Sequence, residues 1–402
     1  MTLTTAQRMR GWTGPALLTY GFRPFFLGAA VWAALAMMLW IGMLTGGLTL
    51  PTALDPVSWH AHEFLFGYLG AVVAGFLLTA VPNWTGRLPI VGWPLAGLAA
   101  LWLAGRVAMA VSAGLSPGLT AVIDLSFPVV LAGAIGREIV AGKNWRNLIV
   151  LAMLTVMILG NGLFHWEAAK GAYAAQGYGL RLGLGAGIMM IAVIGGRIVP
   201  SFTRNWLVKR GAARLPVSPM QGFDRLALLV LLGALLIWVA LPTAVMTGAA
   251  LALAGALHWG RLVPWAGGQT LSEPLVWVLH AGYAFVPLGA LAMAVEVLMP
   301  ATLGMGAAQH LWMGGALGLM TLAVMTRATL GHTGQELSAG PGTVSIYGAM
   351  IAAVFLRVAA GLWPQYTAGL HGLSGLAWFA SFAGFAAVYG PLLLCRRPAK
   401  SA

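Results

Sequence analysis

Apolar stretches long enough to cross a bilayer recur along the whole chain, and they constrain its fold more than any other feature. Residues 64–81 are one example. A backbone in lipid has no water to bond with, so only helices and closed barrels span membranes, and a spanning helix needs about 20 apolar residues. The chain is 60% hydrophobic and only 8% charged, whereas soluble domains have about 25% charged residues. We therefore predict an all-α integral membrane protein.

Twelve of these stretches are predicted as membrane-spanning helices that form one domain over residues 1–402. Leu241-Pro242-Thr243 alone separates the seventh from the eighth. A proline can kink one long helix or end it, so the sequence leaves both possibilities open there. The predicted spans lie near residues 22–46, 59–81, 92–113, 119–140, 146–168, 178–200, 223–241, 244–261, 274–297, 308–329, 344–362 and 368–394.

The basic residues support this number of spans because they separate by side. With the amino terminus on side one, most of the 22 lysines and arginines fall on that side, while Lys170 and Arg181 fall on the other. Cytoplasmic loops are rich in Lys and Arg, so both termini are predicted to be cytoplasmic. The net charge of +13 thus reflects topology and not nucleic-acid binding. Tryptophans near span ends are predicted as interfacial anchors: Trp40, Trp59, Trp84, Trp93, Trp145 and Trp363.

The histidines divide into two groups once the spans fix their depth. His310 opens the tenth span and His332 follows it 22 residues later; a continuous helix would separate them by about 33 Å at ~1.5 Å per residue, so they cannot share one metal ion. The simplest arrangement is one site near each face. The outer group comprises His60, His62, His165, His310 and His371; the inner group comprises His258, His280 and His332.

The stretch Trp59-His60-Ala61-His62-Glu63 is the strongest candidate on the outer side, and Asp55-Pro56 before it is typical of a helix start. Residues two apart on a helix point about 200° away from each other. Either only one of His60 and His62 is a ligand, or the first turn is unwound and both bind one ion. With His310 they can supply two imidazoles to haem or most of a copper site.

On the inner side, His258, His280 and His332 are candidate metal ligands, and Arg197 and Arg327 can pair with haem propionates or an anionic substrate. Simple flanking of the spans is the alternative for the arginines, and His165 and His371 are interpreted as structural. The remaining ionisable residues in or near spans need partners or water. These are Arg106, Arg357, Asp124 and Glu296.

Five blocks of sequence in order resemble the NnrS family: 21–27 GFRPFFL, 59–63 WHAHE, 75–86 GFLLTAVPNWTG, 197–203 RIVPSFT and 327–334 RATLGHTG. The resemblance implies a bacterial inner-membrane protein with about twelve spans that contains haem and copper and is associated with denitrification and nitric-oxide stress. It assigns no histidine to either metal. The family often has Gly-Arg after the His-Thr pair, where this chain has Gly334-Gln335, so that arginine's role does not carry over.

We therefore predict a haem- and copper-binding membrane protein that binds or detoxifies nitric oxide, or protects metal centres from it. Whether it is an enzyme is left open. One alternative is a secondary transporter without metal, in which Arg106, Arg357, Asp124 and Glu296 couple transport. A second is a non-catalytic haem-binding scaffold.

Overall fold

The computed structural model describes residues 12–395, and these residues contain helices but no β-strand. The predicted all-α class is therefore confirmed. Twelve long helices, numbered in chain order, account for most of the described chain. They are α1 Phe22–Leu44, α2 Pro56–Thr85, α3 Trp93–Ala110, α4 Pro117–Ala141, α5 Leu148–Ala169, α6 Tyr178–Lys209, α7 Gly222–Ala240, α8 Val245–Leu262, α9 Pro274–Leu298, α10 Met305–His332, α11 Pro341–Leu362 and α12 Thr367–Leu394.

Of the helices in this part of the chain, eleven are long and apolar enough to cross a membrane, which makes the protein a multi-pass membrane protein. Only α8 falls short. It is nevertheless a helix separate from α7, because the Leu241 N–H closes α7 on Ile237 O at 2.7 Å and the chain turns before Val245. The cytoplasmic location of both termini stays a prediction, and residues 1–11 and 396–402 lie outside the described residues.

The described residues group into two compact units. The first unit contains residues 12–183, 328–336 and 385–395, and the second contains residues 184–327 and 337–384. The prediction of a single domain stays a prediction.

Small residues let helices approach closely inside each unit. In the first unit, a Cβ atom at Gly160 would lie 2.7 Å from the backbone nitrogen of Gly183, so α5 and α6 meet there at backbone distance. In the second unit, a Cβ atom at Gly282 would lie 3.1 Å from the backbone nitrogen of Met320. Lipid tails are as apolar as the helices, so association in a membrane relies on this tight packing.

The tryptophans near the span ends do not all anchor the protein at the interface. Trp93 is 75% exposed, and Trp145 and Trp363 are also exposed, as an anchor must be. Trp59 is completely buried and Trp40 almost so, so the anchor prediction is wrong for these two. Trp59 packs edge-on against Trp32, with ring centroids 6.4 Å apart, and belongs to the core of the first unit.

Three helices in the described range contain a π-helical segment beside a predicted site residue. The segments follow His62, precede Arg197 and follow His310. Such segments are frequent at functional sites, because the wider turn displaces backbone groups from their regular partners and re-aims side chains. Gly67 O in the first segment accepts from Trp102 Nε1 at 2.9 Å. The three segments are Glu63–Tyr68 in α2, Ile191–Gly195 in α6 and Leu311–Leu319 in α10.

Candidate metal centre

The start of α2 is fixed by Asp55, as the sequence predicted. Asp55 Oδ1 accepts from the backbone N–H groups of Val57 at 2.9 Å and Ser58 at 3.0 Å. Pro56 occupies the first helical position, where its missing N–H costs nothing. This cap determines where the helix begins and therefore the direction in which each side chain of residues 59–63 points.

His60 and His62 leave this helix in different directions, because Pro56–His62 is a regular α-helix. His62 is completely buried. His60 is partly exposed and stacks on Trp40, with ring centroids 4.0 Å apart. The first turn is not unwound, so the two histidines belong to different environments.

A buried ion-pair network surrounds His62. Arg106 Nη1 on α3 donates to Glu63 Oε1 at 2.7 Å, and Arg106 Nη2 donates to Asp124 Oδ1 on α4. The side chains of Glu63, Arg106 and Asp124 are at most 4% exposed. Glu63 Oε2 and Arg106 Nε are buried without a hydrogen-bond partner in residues 12–395, so the network has unused polar atoms.

Oxygen acceptors face both ring nitrogens of His62. Nδ1 lies 3.0 Å from Glu63 Oε1, and Nε2 lies 3.2 Å from Asp124 Oδ2 and 3.0 Å from Asn161 Oδ1. Asn161 Nδ2 donates to Asp124 Oδ2 at 2.7 Å, which orients the amide so that Oδ1 faces the ring. If Nδ1 carries the proton shared with Glu63, the Nε2 lone pair faces oxygen lone pairs. A proton or a metal ion at Nε2 removes that repulsion.

His165 completes a group that can hold a metal ion. His165 Nε2 on α5 lies 3.1 Å from Asp124 Oδ2, and the ligand atoms of His62, Asp124 and His165 all lie within 4.8 Å of one another. Ligand atoms of a tetrahedral ion with bonds of about 2.0–2.1 Å lie roughly 3.3 Å apart. The two nitrogen-to-carboxylate distances of 3.1 and 3.2 Å are compatible with a shared ion as well as with direct hydrogen bonds.

The surroundings of this group also suit a metal. A ligating histidine usually donates its other ring N–H to a carboxylate, which fixes the tautomer and the ring orientation. Glu63 stands in that position at His62 Nδ1. Two imidazoles with one carboxylate suit copper, zinc or iron, so the donor set alone does not choose among them.

Gly105 on α3 lets the network form, and its substitution gives a first prediction. A Cβ atom at Gly105 would lie 2.9 Å from Asp124 Oδ1 and 3.3 Å from Asp124 Cα. We expect Gly105→Ala to lower stability by about 1–3 kcal/mol, because α4 must move away from Arg106. Gly97→Ala is the matched control on the same helix, since nothing lies within 4 Å of its added Cβ. Thermal unfolding of both variants in detergent tests this, and equal midpoints would contradict it.

His310, at the end of the first α-helical part of α10, has one ring nitrogen committed to the backbone. Its Nδ1–H donates to Gly306 O at 2.5 Å. The lone pair then lies on Nε2, the form in which histidine binds a haem iron or a metal ion. His310 lies in the second unit, and its pairing with His60 or His62 stays a prediction.

His258 uses both ring nitrogens inside the second unit. Nε2 donates to Ala227 O at 3.2 Å, and Nδ1 lies 2.8 Å from Tyr283 Oη. Tyr283 Oη in turn accepts from Arg261 Nη1 at 2.6 Å. A ligand role for His258 requires one of its two hydrogen bonds to break, and that role stays a prediction.

His280 and His332 differ from His258 in that fewer hydrogen bonds engage their rings. His280 Nε2 lies 2.7 Å from Thr203 Oγ1, and Thr203 Oγ1 donates to Val199 O at 2.8 Å. His280 Nδ1 is buried and has no hydrogen-bond partner in the described chain. If Nε2–H donates to Thr203 Oγ1, the lone pair of the ring lies on the buried Nδ1. A metal ligand requires such a lone pair. His332 is exposed and lies against the Phe22 ring, at 5.3 Å between centroids.

The two predicted arginines both belong to the second unit, but their contacts differ. Arg327 stacks over the ring of Phe202 at 4.2 Å, which places its guanidinium on an aromatic face. Arg197 follows the π-helical segment of α6, and its backbone carbonyl accepts from Ser201 Oγ at 2.6 Å. Both side chains are partly exposed, so an anion can reach them.

The chain matches the family model described as NnrS protein over residues 16–397. It belongs to the NnrS family. Curated proteins include no match to this chain. The family match covers nearly the whole chain, so the family's sequence blocks can be placed on the structure one by one.

One NnrS block has a structural role at the ends of the chain. Arg23, in block 21–27, donates from Nη1 to Leu393 O at 2.8 Å and to Cys395 O at 3.1 Å. The last carbonyl groups of a helix lack partners within that helix. Arg23 therefore ties the start of α1 to the end of α12 in this NnrS-family chain.

Sequence reasoning named most members of the candidate metal centre in this NnrS-family chain but did not group them. It placed His62 and His165 on the same side, yet it interpreted His165 as structural. It recognised that Arg106 and Asp124 needed partners without identifying them. Asn161 was missed entirely. Its spacing from His165 is four residues, which puts both on one helix face, and that was the available signal.

Proposed function

We propose that the protein binds haem and copper in the bacterial inner membrane and acts in the nitric-oxide response. It binds or detoxifies nitric oxide, or protects other metal centres from it. The observation that carries the proposal is the buried group of His62, Asp124 and His165, whose ligand atoms lie within 4.8 Å of one another in a chain of the NnrS family.

Copper is assigned in this proposal to the His62 group. The two imidazoles and the Asp124 carboxylate would hold the ion, and Glu63 would orient His62 through Nδ1. Arg106 offsets part of the negative charge of the two carboxylates. Burial keeps water from competing as a ligand, because none of the three side chains is more than 9% exposed.

Haem is assigned to His310, whose hydrogen bond from Nδ1 to Gly306 leaves the lone pair of the ring on Nε2. His60 and His62 stay the other histidines predicted for haem from the sequence, and the ring of His62 is engaged by Glu63, Asp124 and Asn161. Among the inner residues, His258 and His280 with Arg197 and Arg327 are proposed to hold a metal or an anionic ligand within the second unit, and His332 in the first unit is proposed as a metal ligand by itself. Bound haem iron and copper supply nitric-oxide binding and one-electron exchange.

A haem prediction tests this proposal directly. Protein purified after expression with ample haem and copper should show a Soret band, and His310→Ala should lose most of it while keeping its copper. Loss of the axial imidazole removes the iron ligand, whereas the His62 group is unchanged. Arg146→Met, at an exposed arginine, is the control and should retain both metals. Wild-type protein with neither a Soret band nor bound metal would sink the proposal and favour a metal-free transporter.

Turnover separates an enzyme from a scaffold. Nitric oxide mixed with the reduced, metal-loaded protein in a single-turnover experiment should shift the Soret band. Decay of that shifted spectrum with consumption of nitric oxide indicates catalysis. A stable shifted spectrum indicates a protein that only binds nitric oxide.

A further inference from the structure

Three basic side chains from three helices lie close together in the second unit. His310 is on α10, Arg357 on α11 and His371 on α12. A Cβ atom at Gly306 would lie 3.1 Å from Arg357 Nη2, and Gly306 O accepts from His310 Nδ1. Two hydrogen bonds join α12 to α11 on either side of Arg357 and His371. Thr367 Oγ1 donates to Ala360 O at 2.9 Å, and Ser374 Oγ donates to Ala353 O at 2.7 Å, so the two residues lie at the same level of the paired helices. The helix turn at Gly306 therefore brings the guanidinium near His310, while His371 lies at the same level on the neighbouring helix.

Two nitrogen atoms in this group are buried without a hydrogen-bond partner in the part of the chain that the structure describes. Arg357 Nε and His371 Nε2 are both buried, and neither has a hydrogen-bond partner among residues 12–395. Arg357 also forms no salt bridge with a described carboxylate. A guanidinium within a membrane helix is costly unless an anion or water satisfies it.

No acidic residue of the second unit is left to pair with Arg357. Asp224 accepts from Arg261 Nε at 2.6 Å and from the backbone of Gln221. Glu273 Oε1 accepts from the backbone N–H groups of Leu275 and Ala339. These two carboxylates are engaged elsewhere in the unit.

Glu296 is the third acid of the second unit, and its carboxylate folds the loop that leads into α10. Oε1 accepts from Ala301 N at 2.9 Å. Oε2 accepts from Leu303 N at 2.9 Å and from Gly304 N at 3.0 Å. Because all three acids are engaged, the charge of Arg357 needs an anion that this unit does not supply.

We propose that Arg357 and His371 form a binding site for a planar anion with two oxygens, a carboxylate or a small oxyanion of the same shape. A guanidinium binds such a group through two parallel N–H···O hydrogen bonds. His371 donates a further hydrogen bond from Nε2. The anion is either the propionate of a haem bound at His310 or a free ion; only the first source rests on the proposed function.

Formate is the probe for the free anion. Thermal unfolding of haem-free wild-type protein is followed by tryptophan fluorescence as formate replaces chloride at constant ionic strength. A ligand that binds the folded state raises the midpoint in a saturable manner. Arg357→Met should abolish this rise, while its midpoint without formate should not fall, because an uncompensated charge has been removed. Arg146→Met, at an exposed arginine, should behave as wild type.

Haem and haem dimethyl ester are the probes for the propionate. Wild-type protein should bind haem roughly tenfold or more tightly than the ester, because esterification removes the charged hydrogen bonds. Arg357→Met should equalise the two affinities. If the protein prefers haem to its ester and loses its formate response once haem is bound, the anion is the propionate. A formate response that survives haem loading identifies a free anion.

A failure of the haem assignment can be distinguished from a failure of the anion site. If haem does not bind but the formate response depends on Arg357, the haem assignment fails and the anion site stands. If Arg357→Met changes neither the formate response nor the preference for haem over its ester, the anion site is overturned. Should Arg357→Met not fold, His371→Gln gives the same decision, because it weakens both responses only if His371 contacts the anion.

Discussion

Asp124→Ala is expected to destabilise the protein by about 3–5 kcal/mol, the cost of breaking a buried ion pair by removing one partner. Asp124 accepts from Arg106 through Oδ1 and from Asn161 at 2.7 Å through Oδ2. Its Oδ2 also lies 3.1 Å from His165 Nε2. Removing this carboxylate leaves Arg106 with Glu63 alone and leaves two buried polar side chains without their hydrogen-bond acceptor.

Reversible unfolding in mixed micelles measures this loss. The control is Arg87→Ala, which breaks the ion pair with Glu138 at a guanidinium that is 45% exposed. That variant should lose no more than about 1 kcal/mol, because exposed ion pairs contribute little. The double variant Asp124→Leu with Arg106→Leu should be less destabilised than the sum of the two single leucine variants. A strictly additive double variant would show that the two charges do not stabilise each other.

Much of the fold follows from the sequence because bilayer thickness limits what the chain can do. Apolar runs of spanning length leave helices as the only local structure compatible with lipid, and the structure contains them in order. Leu241-Pro242-Thr243 did not disclose whether α7 and α8 are one helix, because proline permits both outcomes. The π-helical segments had no sequence signal at all, since they depend on how each helix packs.

The sequence predicts how deep each site residue lies in its span, but not which residues of other helices contact it. Span positions put His62 and His165 on the same side, yet they do not say that α2, α4 and α5 meet. Asp124, between them in the structure, was recognised only as a charge that needed a partner. The order of helices around a bundle comes from packing of small residues such as Gly105 against Asp124, and this leaves little trace in hydropathy.

The interpretation of Trp40 and Trp59 as interfacial anchors failed for the same reason. Trp59 lies at a predicted span end, where an indole can sit among lipid headgroups. In the structure it is completely buried against Trp32, because α1 covers the start of α2. Position along a span therefore predicts the depth of a side chain but not whether it faces lipid or protein.

His165→Gln is expected to remove most of the copper from the protein while leaving it folded. Gln can still donate a hydrogen bond to Asp124 Oδ2, which His165 Nε2 approaches to 3.1 Å, but its amide is a poor copper ligand. Glu63→Gln should weaken copper binding by about 10–100-fold, the usual effect of losing the partner that orients a ligating histidine. His165→Gln should lose more copper than Glu63→Gln, because His165 would contact the ion directly and Glu63 acts only by orienting His62.

Copper per protein is measured after dialysis at a fixed free copper concentration, with the Soret band recorded on the same samples. His371→Ala, outside the His62 group, is the control and should keep its copper. Retention of copper by both His165→Gln and His62→Ala would move the copper site away from this group, most directly to the buried Nδ1 of His280. Loss of copper with an unchanged Soret band in His165→Gln would instead separate the two metals, because only a ligand specific to copper can remove one and leave the other.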